Sequence, residues 1–337
     1  MDTTIDQPQD GRGRRGVVFI VSQPRAGSTL LQTMLGGHPQ VIAPGETWLM
    51  LPLAHAVCGS VRDVSAPYDG YLADHAISLF SQSCLSHGVS EIQREIGAAA
   101  ARIFDSVCAR ANAQFVVDKT PRYYWIIEDL LQLLPECRLI VLLRNPLAVL
   151  SSIAKTWSLR NLPAYRADLL EAPSRLANAL ELEHDRVMTV RYEKLIEDPE
   201  TVLTEIQNYI GLDPVSGLSE YGSAPRRVFG DPSGIHGATG VNRGSLEKWV
   251  RDAANDAAMW RVCDDYRKSL GRNLLLRLGY QPEVLEQQLA SVKPFGTAIA
   301  PSLKSHLRPA SSEPIRSMKQ IRSICAKAAS GGLRKAA

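Results

Sequence analysis

One stretch near the start decides the fold of this 337-residue chain: Val17-Val18-Phe19-Ile20-Val21-Ser22-Gln23-Pro24-Arg25-Ala26-Gly27-Ser28-Thr29-Leu30-Leu31. Its five apolar residues, Val17–Val21, predict a strand buried on both faces, as in a parallel sheet. A small-residue loop follows, and the helical pattern Thr29–Gly36 begins directly after it. Backbone N–H groups and the positive end of a helix dipole point into such a loop. We therefore expect a phosphate or sulfate site there.

The loop differs from the phosphate-binding loop of nucleotide triphosphatases, G-x-x-x-x-G-K-[ST]. Ser22 stands where the first glycine would be, and Ser28 stands where the lysine would be. The nearest positive charge is Arg25, inside the loop, and Ser28 and Thr29 add hydroxyl donors. Because the lysine that reaches the outer phosphates is missing, the loop is better matched to a single, less highly charged group such as a sulfuryl group.

Further apolar runs complete the predicted sheet, and helical patterns separate them. The runs are Phe115–Val117, Arg138–Leu143 and Val187–Val190, and the helical patterns are Tyr124–Leu134, Leu147–Trp157 and Pro199–Ile210. This alternation predicts an α/β fold, with a P-loop-like parallel β-sheet flanked by helices. The Ala- and Leu-rich regions 46–112 and 159–184 are expected to be helical insertions that form a substrate lid.

Composition suggests three parts. Residues 1–15 are polar and predict a disordered lead-in, residues 16–281 carry the α/β pattern, and residues 282–337 form a basic, partly helical C-terminal extension. In the extension, Ile315, Met318, Ile321 and Ile324 fall on one helical stripe. We favour a terminal helix docked on the body, and the alternative is peripheral contact with a membrane or a partner. The Gly- and Pro-rich stretch 213–245 is expected to fold over a ligand.

Charge and cysteine usage exclude several classes of function. The 38 Lys and Arg residues against 35 Asp and Glu give a net charge of +3, too small to indicate a nucleic-acid partner. Val17–Val21 is too short for a signal-peptide core or a transmembrane segment. The six cysteines lack metal-ligand spacing. We expect a cytoplasmic protein with no metal requirement.

Two motifs carry a resemblance to a known family. Pro24-Arg25-Ala26-Gly27-Ser28-Thr29-Leu30 resembles the loop P-R-S-G-T-T-L of the sulfotransferases that use 3′-phosphoadenosine-5′-phosphosulfate (PAPS), particularly the tyrosylprotein-sulfotransferase-like group and its bacterial relatives. Arg144-Asn145-Pro146, with Ser152 eight residues after the arginine, resembles the family's second motif. Arg144 and Ser152 can converge on one anion. The resemblance implies that this anion is the 3′-phosphate, and that the product nucleotide is adenosine 3′,5′-bisphosphate.

The resemblance also implies roles for individual residues. Glu46, in Gly45-Glu46-Thr47, matches the catalytic carboxylate and is expected to be the general base. Lys119 matches a lysine that reaches the bridging oxygen of the donor, where Arg25 is expected to share its role. Tyr192 is expected to flank the adenine. The cofactor-binding residues implied in full are Arg25, Ala26, Gly27, Ser28, Thr29, Arg144, Ser152, Tyr192, Arg243 and Lys248.

These assignments predict a PAPS-dependent sulfotransferase acting on a hydroxyl of a small molecule or carbohydrate. Cytosolic small-molecule sulfotransferases, which this stretch also resembles, carry a catalytic histidine two residues after the lysine, where this chain has Pro121; this difference favours Glu46 as the base. Trp48 and the aromatic residues at 123–125 either line an acceptor pocket or belong to the core. The main alternative function is a P-loop-type ATP-dependent small-molecule kinase with Asp118 as its magnesium ligand. A non-catalytic nucleotide-binding protein is a third.

Overall fold

The computed structural model describes residues 15–57, 64–65, 68–182, 184–220, 240–297 and 300–307. At its centre lies a five-stranded sheet, parallel throughout, in the order β2-β5-β1-β6-β7. Its strands are β1 (Gly16–Ser22), β2 (Val41–Ile42), β5 (Phe115–Lys119), β6 (Arg138–Leu143) and β7 (Val187–Arg191), while β3 (Val64–Ser65) and β4 (Tyr68–Asp69) form a separate antiparallel pair. The predicted parallel α/β architecture is confirmed.

Helices cover both faces of the sheet. They are α1 (Ser28–Leu35), α2 (Met50–Val57), α3 (Gly70–Cys84), α4 (Val89–Ala111), α5 (Ile127–Leu133), α6 (Pro146–Trp157), α7 (Arg166–Leu170), α8 (Ala172–Leu180), α9 (Tyr192–Glu197), α10 (Pro199–Ile210), α11 (Lys248–Ala254), α12 (Ala257–Arg277), α13 (Pro282–Ser291) and α14 (Leu303–His306). Shorter 3-10 helices span Pro121–Trp125, Leu159–Tyr165 and Arg243–Ser245. Within the described ranges, no helix has the length and apolar character that a bilayer crossing requires.

The continuous apolar run of β1 serves two cores at once. Val17, Phe19 and Val21 pack into a cluster with α2, α4 and α5 on one face of the sheet. Val18 and Ile20 pack on the opposite face with α1 and α10. Because successive side chains of a strand point to opposite faces, a strand covered on both sides must be apolar throughout. Burial of the whole run follows from this arrangement.

The strand order determines where a ligand site can form. β1 and β6 are neighbours, but the chain continues from β1 to β2 on one side and from β6 to β7 on the other. Connections that leave adjacent strands in opposite directions open a crevice at the carboxyl ends of those strands. The loops that follow β1 and β6 are the two segments in which the sequence predicts anion-binding residues.

Some elements differ from the sequence-based expectations. The helix predicted over Tyr124–Leu134 is broken: a 3-10 helix ends at Trp125, and α5 begins at Ile127 after a residue with φ −130° and ψ 30°. Tertiary contacts of the 3-10 segment, described below, override the helical period there. The region 46–112 contains the short pair β3 and β4 beside its helices, and β2 is too short to leave a periodic signal.

The start of the C-terminal extension packs on the domain body. Leu285, Leu289 and Leu303 join a buried cluster with Trp260 of α12. The Trp260 indole donates to the Leu289 carbonyl at 2.7 Å. The division at residue 281 stays a prediction. The lead-in up to residue 14, most of the loop 213–245 and the predicted stripe at 315–324 lie outside the described residues.

Candidate active site

The loop between β1 and α1 forms a tight turn with two residues in the left-handed region, Arg25 at φ 68° and Gly27 at φ 99°. The Ala26 N–H donates to the Gln23 carbonyl at 3.2 Å and closes the turn. A Cβ atom at Gly27 would lie 2.4 Å from the Tyr192 ring. Glycine is therefore needed at this position both for its backbone conformation and for space. It also places no side chain at the N-terminus of α1.

Arg25 reaches from this loop to the second predicted motif. Its Nε donates to Ser152 Oγ at 3.2 Å, although the two residues are 127 positions apart in the chain. Its guanidinium lies 5.6 Å from the centre of the Trp157 ring, and that ring stacks on Tyr165 at 4.6 Å. The structure thus brings together a residue of each predicted anion-binding motif, and Trp157 beside Arg25 stacks on Tyr165 of the region 159–184.

Arg144, directly after β6, also binds the loop between β1 and α1. Its Nη1 donates to the Arg25 carbonyl at 2.9 Å, and its Nη2 donates to the Ser245 carbonyl at 3.3 Å. An arginine has five N–H donors, of which these carbonyls engage two. Burial lowers the pKa of Arg144 from its ordinary value. A half-buried guanidinium of this kind is well suited to a phosphate group, because the phosphate charge compensates its partial desolvation.

Tyr192 lies between the two motifs. Its ring stacks against the Arg144 guanidinium at 4.2 Å and touches Gly27, and its hydroxyl lies 2.9 Å from Ser245 Oγ. Only 7% of its surface is exposed. The ring therefore supports the loop and Arg144, and contact with an adenine stays a prediction.

Arg243 and Lys248 flank Ser245 and are exposed. Arg243 Nη2 donates to the Glu197 carbonyl at 3.0 Å, and Lys248 is the first residue of α11. Ser245, which lies between them in the chain, contacts Arg144 and Tyr192. The roles of Arg243 and Lys248 in binding stay predictions.

The predicted base and the predicted catalytic lysine are in direct contact. Lys119 Nζ donates to Glu46 Oε1 at 2.6 Å. The lysine side chain is 1% exposed and the glutamate side chain 11%. The Trp48 indole N–H donates to the other carboxylate oxygen at 3.2 Å. Lys119 ends β5, the strand next to β1, so this pair lies at the same carboxyl edge of the sheet as the loop.

Asp118 is fully buried beside this pair. Its carboxylate accepts hydrogen bonds from the Thr47 hydroxyl at 2.6 Å, the Thr47 N–H at 3.3 Å and the Tyr123 hydroxyl at 2.7 Å. Burial raises the pKa of Asp118 to about 6, although these hydrogen bonds act in the opposite direction. The kinase alternative requires Asp118 to bind magnesium. To do so, the Asp118 carboxylate would have to lose these hydrogen bonds and become accessible to solvent.

The aromatic residues after β5 belong mostly to the core. Tyr123 and Tyr124 are 0% and 1% exposed, so neither lines an acceptor pocket. The Tyr124 hydroxyl donates at 2.7 Å to the buried carboxylate of Asp168, which also forms an ion pair with Arg122 at 3.0 Å. Trp48, in contrast, is 37% exposed.

Several residues that build the site were not found from the sequence. Ser245 contacts Arg144 and Tyr192, and it lies between the matched residues Arg243 and Lys248 without being part of the match. Asp168 ties the insertion after α6 to the end of β5, and the backbone carbonyl of Asp168 also accepts from the Gln23 side chain at 2.8 Å. Asp168 lies in a helical sequence pattern, and that pattern does not indicate a structural role at the site. A role for Thr47 could be predicted from the sequence, because a polar residue next to a candidate base is well placed to orient that base.

Comparisons with known proteins identify the family of the chain. Nodulation protein NoeE of Sinorhizobium fredii (strain NBRC 101917 / NGR234) is 30% identical over 311 residues, an alignment that covers 84% of this chain and 70% of that protein. Protein-tyrosine sulfotransferase 2 of Gallus gallus is 23% identical over 286 residues, covering 79% and 70%. A solved sulfotransferase domain from the olefin synthase of Synechococcus PCC 7002 is 25% identical, with a TM-score of 0.46, and covers 72% of this chain and 90% of its own. The model of the sulfotransferase family matches residues 17–216. The chain therefore belongs to the sulfotransferase family.

Proposed function

We propose that this protein transfers a sulfuryl group from PAPS to a hydroxyl of a small-molecule or carbohydrate acceptor, with Glu46 as the general base and no metal ion. The observation that carries the proposal is the meeting of two groups of side chains at one edge of the sheet. Arg25, Ser152 and Arg144 form a basic cluster across the loops after β1 and β6. Lys119 and Glu46 form a buried pair at the end of the adjacent strand β5.

The residues fit a donor with two separate anionic ends. Arg25 and the open N-terminus of α1 suit the 5′ end, whose phosphate carries the sulfuryl group. Arg144 and Ser152 suit the 3′-phosphate, because a bidentate guanidinium and a hydroxyl are matched to a phosphate dianion. ATP has no 3′-phosphate. The half-buried guanidinium of Arg144, which keeps donors beyond the two used on carbonyls, supports this choice.

The reaction is an in-line displacement at sulfur. The acceptor oxygen forms a new bond to sulfur while its proton passes to the Glu46 carboxylate. The bond between sulfur and the bridging oxygen breaks, and the electron pair remains on that oxygen as adenosine 3′,5′-bisphosphate leaves. Lys119 and Arg25 stabilise the negative charge that develops there. For this step the Lys119 ammonium must turn from Glu46 toward the donor, and that movement leaves the carboxylate ready to accept a proton.

The acceptor is proposed from the surroundings of Glu46. Trp48 presents a partly exposed ring, and its indole N–H binds the carboxylate. A hydroxyl that approaches Glu46 therefore passes an aromatic face, which suits a sugar ring or another small molecule. A cytoplasmic location is part of the same proposal. Cell fractionation with an antibody against the native chain tests it.

Ligand binding tests the donor site without any acceptor. We expect calorimetry to show tight binding of adenosine 3′,5′-bisphosphate and at least ten-fold weaker binding of magnesium ATP. The bisphosphate should raise the unfolding temperature, because a ligand that binds only the native state stabilises it. Glu46→Gln should keep this binding and lose turnover of PAPS. Preference for magnesium ATP would contradict the proposal.

A further inference from the structure

Asp118 and Lys119 at the end of β5, together with Thr120 directly after it, bind three consecutive residues of the turn that carries Glu46. Lys119 pairs with Glu46 at 2.6 Å. Asp118 accepts from both the hydroxyl and the N–H of Thr47. The Thr120 hydroxyl accepts from the N–H of Trp48 at 3.1 Å. Residues 46–48 are therefore attached to the end of β5 and to Thr120 through the Glu46 side chain and the backbone N–H groups of Thr47 and Trp48.

The contact between Asp118 and Thr47 is the rigid part of this attachment. Asp118 is fully buried and receives a further hydrogen bond from Tyr123, whose hydroxyl also accepts from the Met50 N–H at 3.3 Å. Trp48 has a φ of 56°, in the left-handed region that a tryptophan seldom adopts. Strain of this kind persists only where the surroundings impose it, and it is typical of functional sites. The bonds from β5 supply that constraint.

We infer that Asp118, acting through Thr47, is a positioning residue that sets the direction of the Glu46 carboxylate. The inference rests on the proposed role of Glu46 as base. Asp118 itself is enclosed and does not touch the acceptor. Its carboxylate fixes the residue next to the base through two hydrogen bonds, and a carboxylate is suited to this because all three of its partners here are donors.

The expected effect is on the rate of the chemical step. A general base contributes about 10²–10⁴-fold, and a displacement of about 1 Å in a reacting group can cost about 100-fold. If the Glu46 carboxylate stays in the site but points in another direction, kcat should therefore fall by about 10- to 100-fold. The anion-binding residues lie on the loops after β1 and β6, so the affinity for the nucleotide should stay unchanged.

Matched variants of Thr47 test the inference with little risk to folding, because this residue is exposed. Thr47→Val keeps the shape and removes the hydroxyl, whereas Thr47→Ser keeps the hydroxyl. Release of adenosine 3′,5′-bisphosphate from PAPS is the rate to measure, since it records transfer to sugars or alcohols and hydrolysis by water alike. We expect Thr47→Val and Asp118→Asn to lower kcat by about 10- to 100-fold and Thr47→Ser to stay within about threefold of the wild type.

Repeating the substitutions in a Glu46→Gln background separates positioning from a general structural role. If Asp118 and Thr47 act through Glu46, Thr47→Val should change the residual rate of Glu46→Gln by less than about twofold. An equal loss in both backgrounds, or a parallel loss of bisphosphate affinity, would overturn the inference. If Asp118→Asn fails to fold, the comparison of Thr47→Val with Thr47→Ser still tests the inference.

The same set of variants distinguishes the inference from the proposed function. If Glu46→Gln lowers kcat and Thr47→Val does not, only the positioning role is wrong. If Glu46→Gln itself leaves kcat unchanged, the proposed base is wrong and the positioning role fails with it. Asp264→Asn provides a control, because it removes another buried carboxylate with two charged partners, Arg267 and Lys268, on α12. It should leave kcat within about twofold.

Discussion

Lys119 and Glu46 form a nearly buried ion pair at 2.6 Å, in which the residue proposed to stabilise the leaving oxygen holds the residue proposed to accept the proton. Neither group can perform its proposed step while the pair is closed. In the proposed reaction, negative charge develops on the bridging oxygen of the donor and competes for the lysine, so we expect the pair to open when the donor reacts. The proposed mechanism therefore links the leaving oxygen to activation of the base.

Removing the lysine alone should destabilise the protein. Lys119→Met leaves the Glu46 carboxylate with the Trp48 indole but without its cation. Breaking a buried pair costs about 3–5 kcal/mol, and we expect about 1–3 kcal/mol because Glu46 keeps some exposure. The double variant Lys119→Met/Glu46→Gln should recover part of this loss. Urea unfolding of the four proteins measures the coupling. Purely additive effects would show that the pair contributes nothing to stability.

Gly27→Ala should damage the anion loop. The new methyl group would meet the Tyr192 ring at 2.4 Å, and the backbone has a φ of 99°. We expect bisphosphate affinity to fall at least ten-fold, because either the loop or Tyr192 must shift. Gly211→Ala is the control, since Gly211 also has a positive φ, 83°, but open space around it. Calorimetry on both variants shows whether the loss of affinity is specific to the anion loop. Equal affinities would show that the loop tolerates the methyl group.

Arg144→Ala should weaken binding selectively. Hydrogen bonds to charged groups contribute about 1.5–3 kcal/mol, which corresponds to about 10- to 150-fold in affinity. We expect a loss of this size for adenosine 3′,5′-bisphosphate and less than about threefold for adenosine 5′-monophosphate, measured by calorimetry. Tyr192→Phe removes the hydroxyl contact to Ser245 and should affect both nucleotides alike. A uniform loss in Arg144→Ala would mean that Arg144 only holds the Arg25 and Ser245 carbonyls.

Asp118 should make the stability of the protein depend on pH in a defined direction. Burial raises the pKa of Asp118 from an ordinary 3.8 to about 6, so the folded state binds a proton more readily than the unfolded chain between these values. The contribution of this group to the free energy of unfolding is therefore largest at low pH and is lost as pH rises toward 6. At about 1.4 kcal/mol per pKa unit, the loss is up to about 3 kcal/mol.

Asp118→Asn removes this titration. Between pH 4 and pH 7 the wild type should therefore lose stability relative to the variant, whatever the constant cost of the substitution. Urea unfolding of both proteins at the two pH values measures the change. A stability difference that is the same at pH 4 and pH 7 would contradict the raised pKa.

The parts of the fold that local patterning controls agree with the sequence-based predictions. The strand Arg138–Leu143 and the helix Pro199–Ile210, which ends at Gly211, have the predicted bounds. A run of β-branched and aliphatic residues suits a strand covered on both faces, and a glycine with φ 83° ends the helix. Where a residue's conformation depends on distant partners, the prediction fails, as at Ile126, where the helix is broken between Tyr124 and α5.

By itself, the sequence determined the parallel α/β fold and the loop at Arg25–Gly27, because short-range spacing and residue type carry that information. Its resemblance to a known family supplied the candidate residues Glu46, Lys119 and Arg144. Only the tertiary structure decided which of these side chains touch. Arg25 meets Ser152 across 127 residues of chain, and Glu46 meets Lys119 across 73. Such contacts depend on strand order, since adjacent parallel strands bring their carboxyl ends to one edge. The role of Asp118 depends on burial, which neighbours from distant segments create.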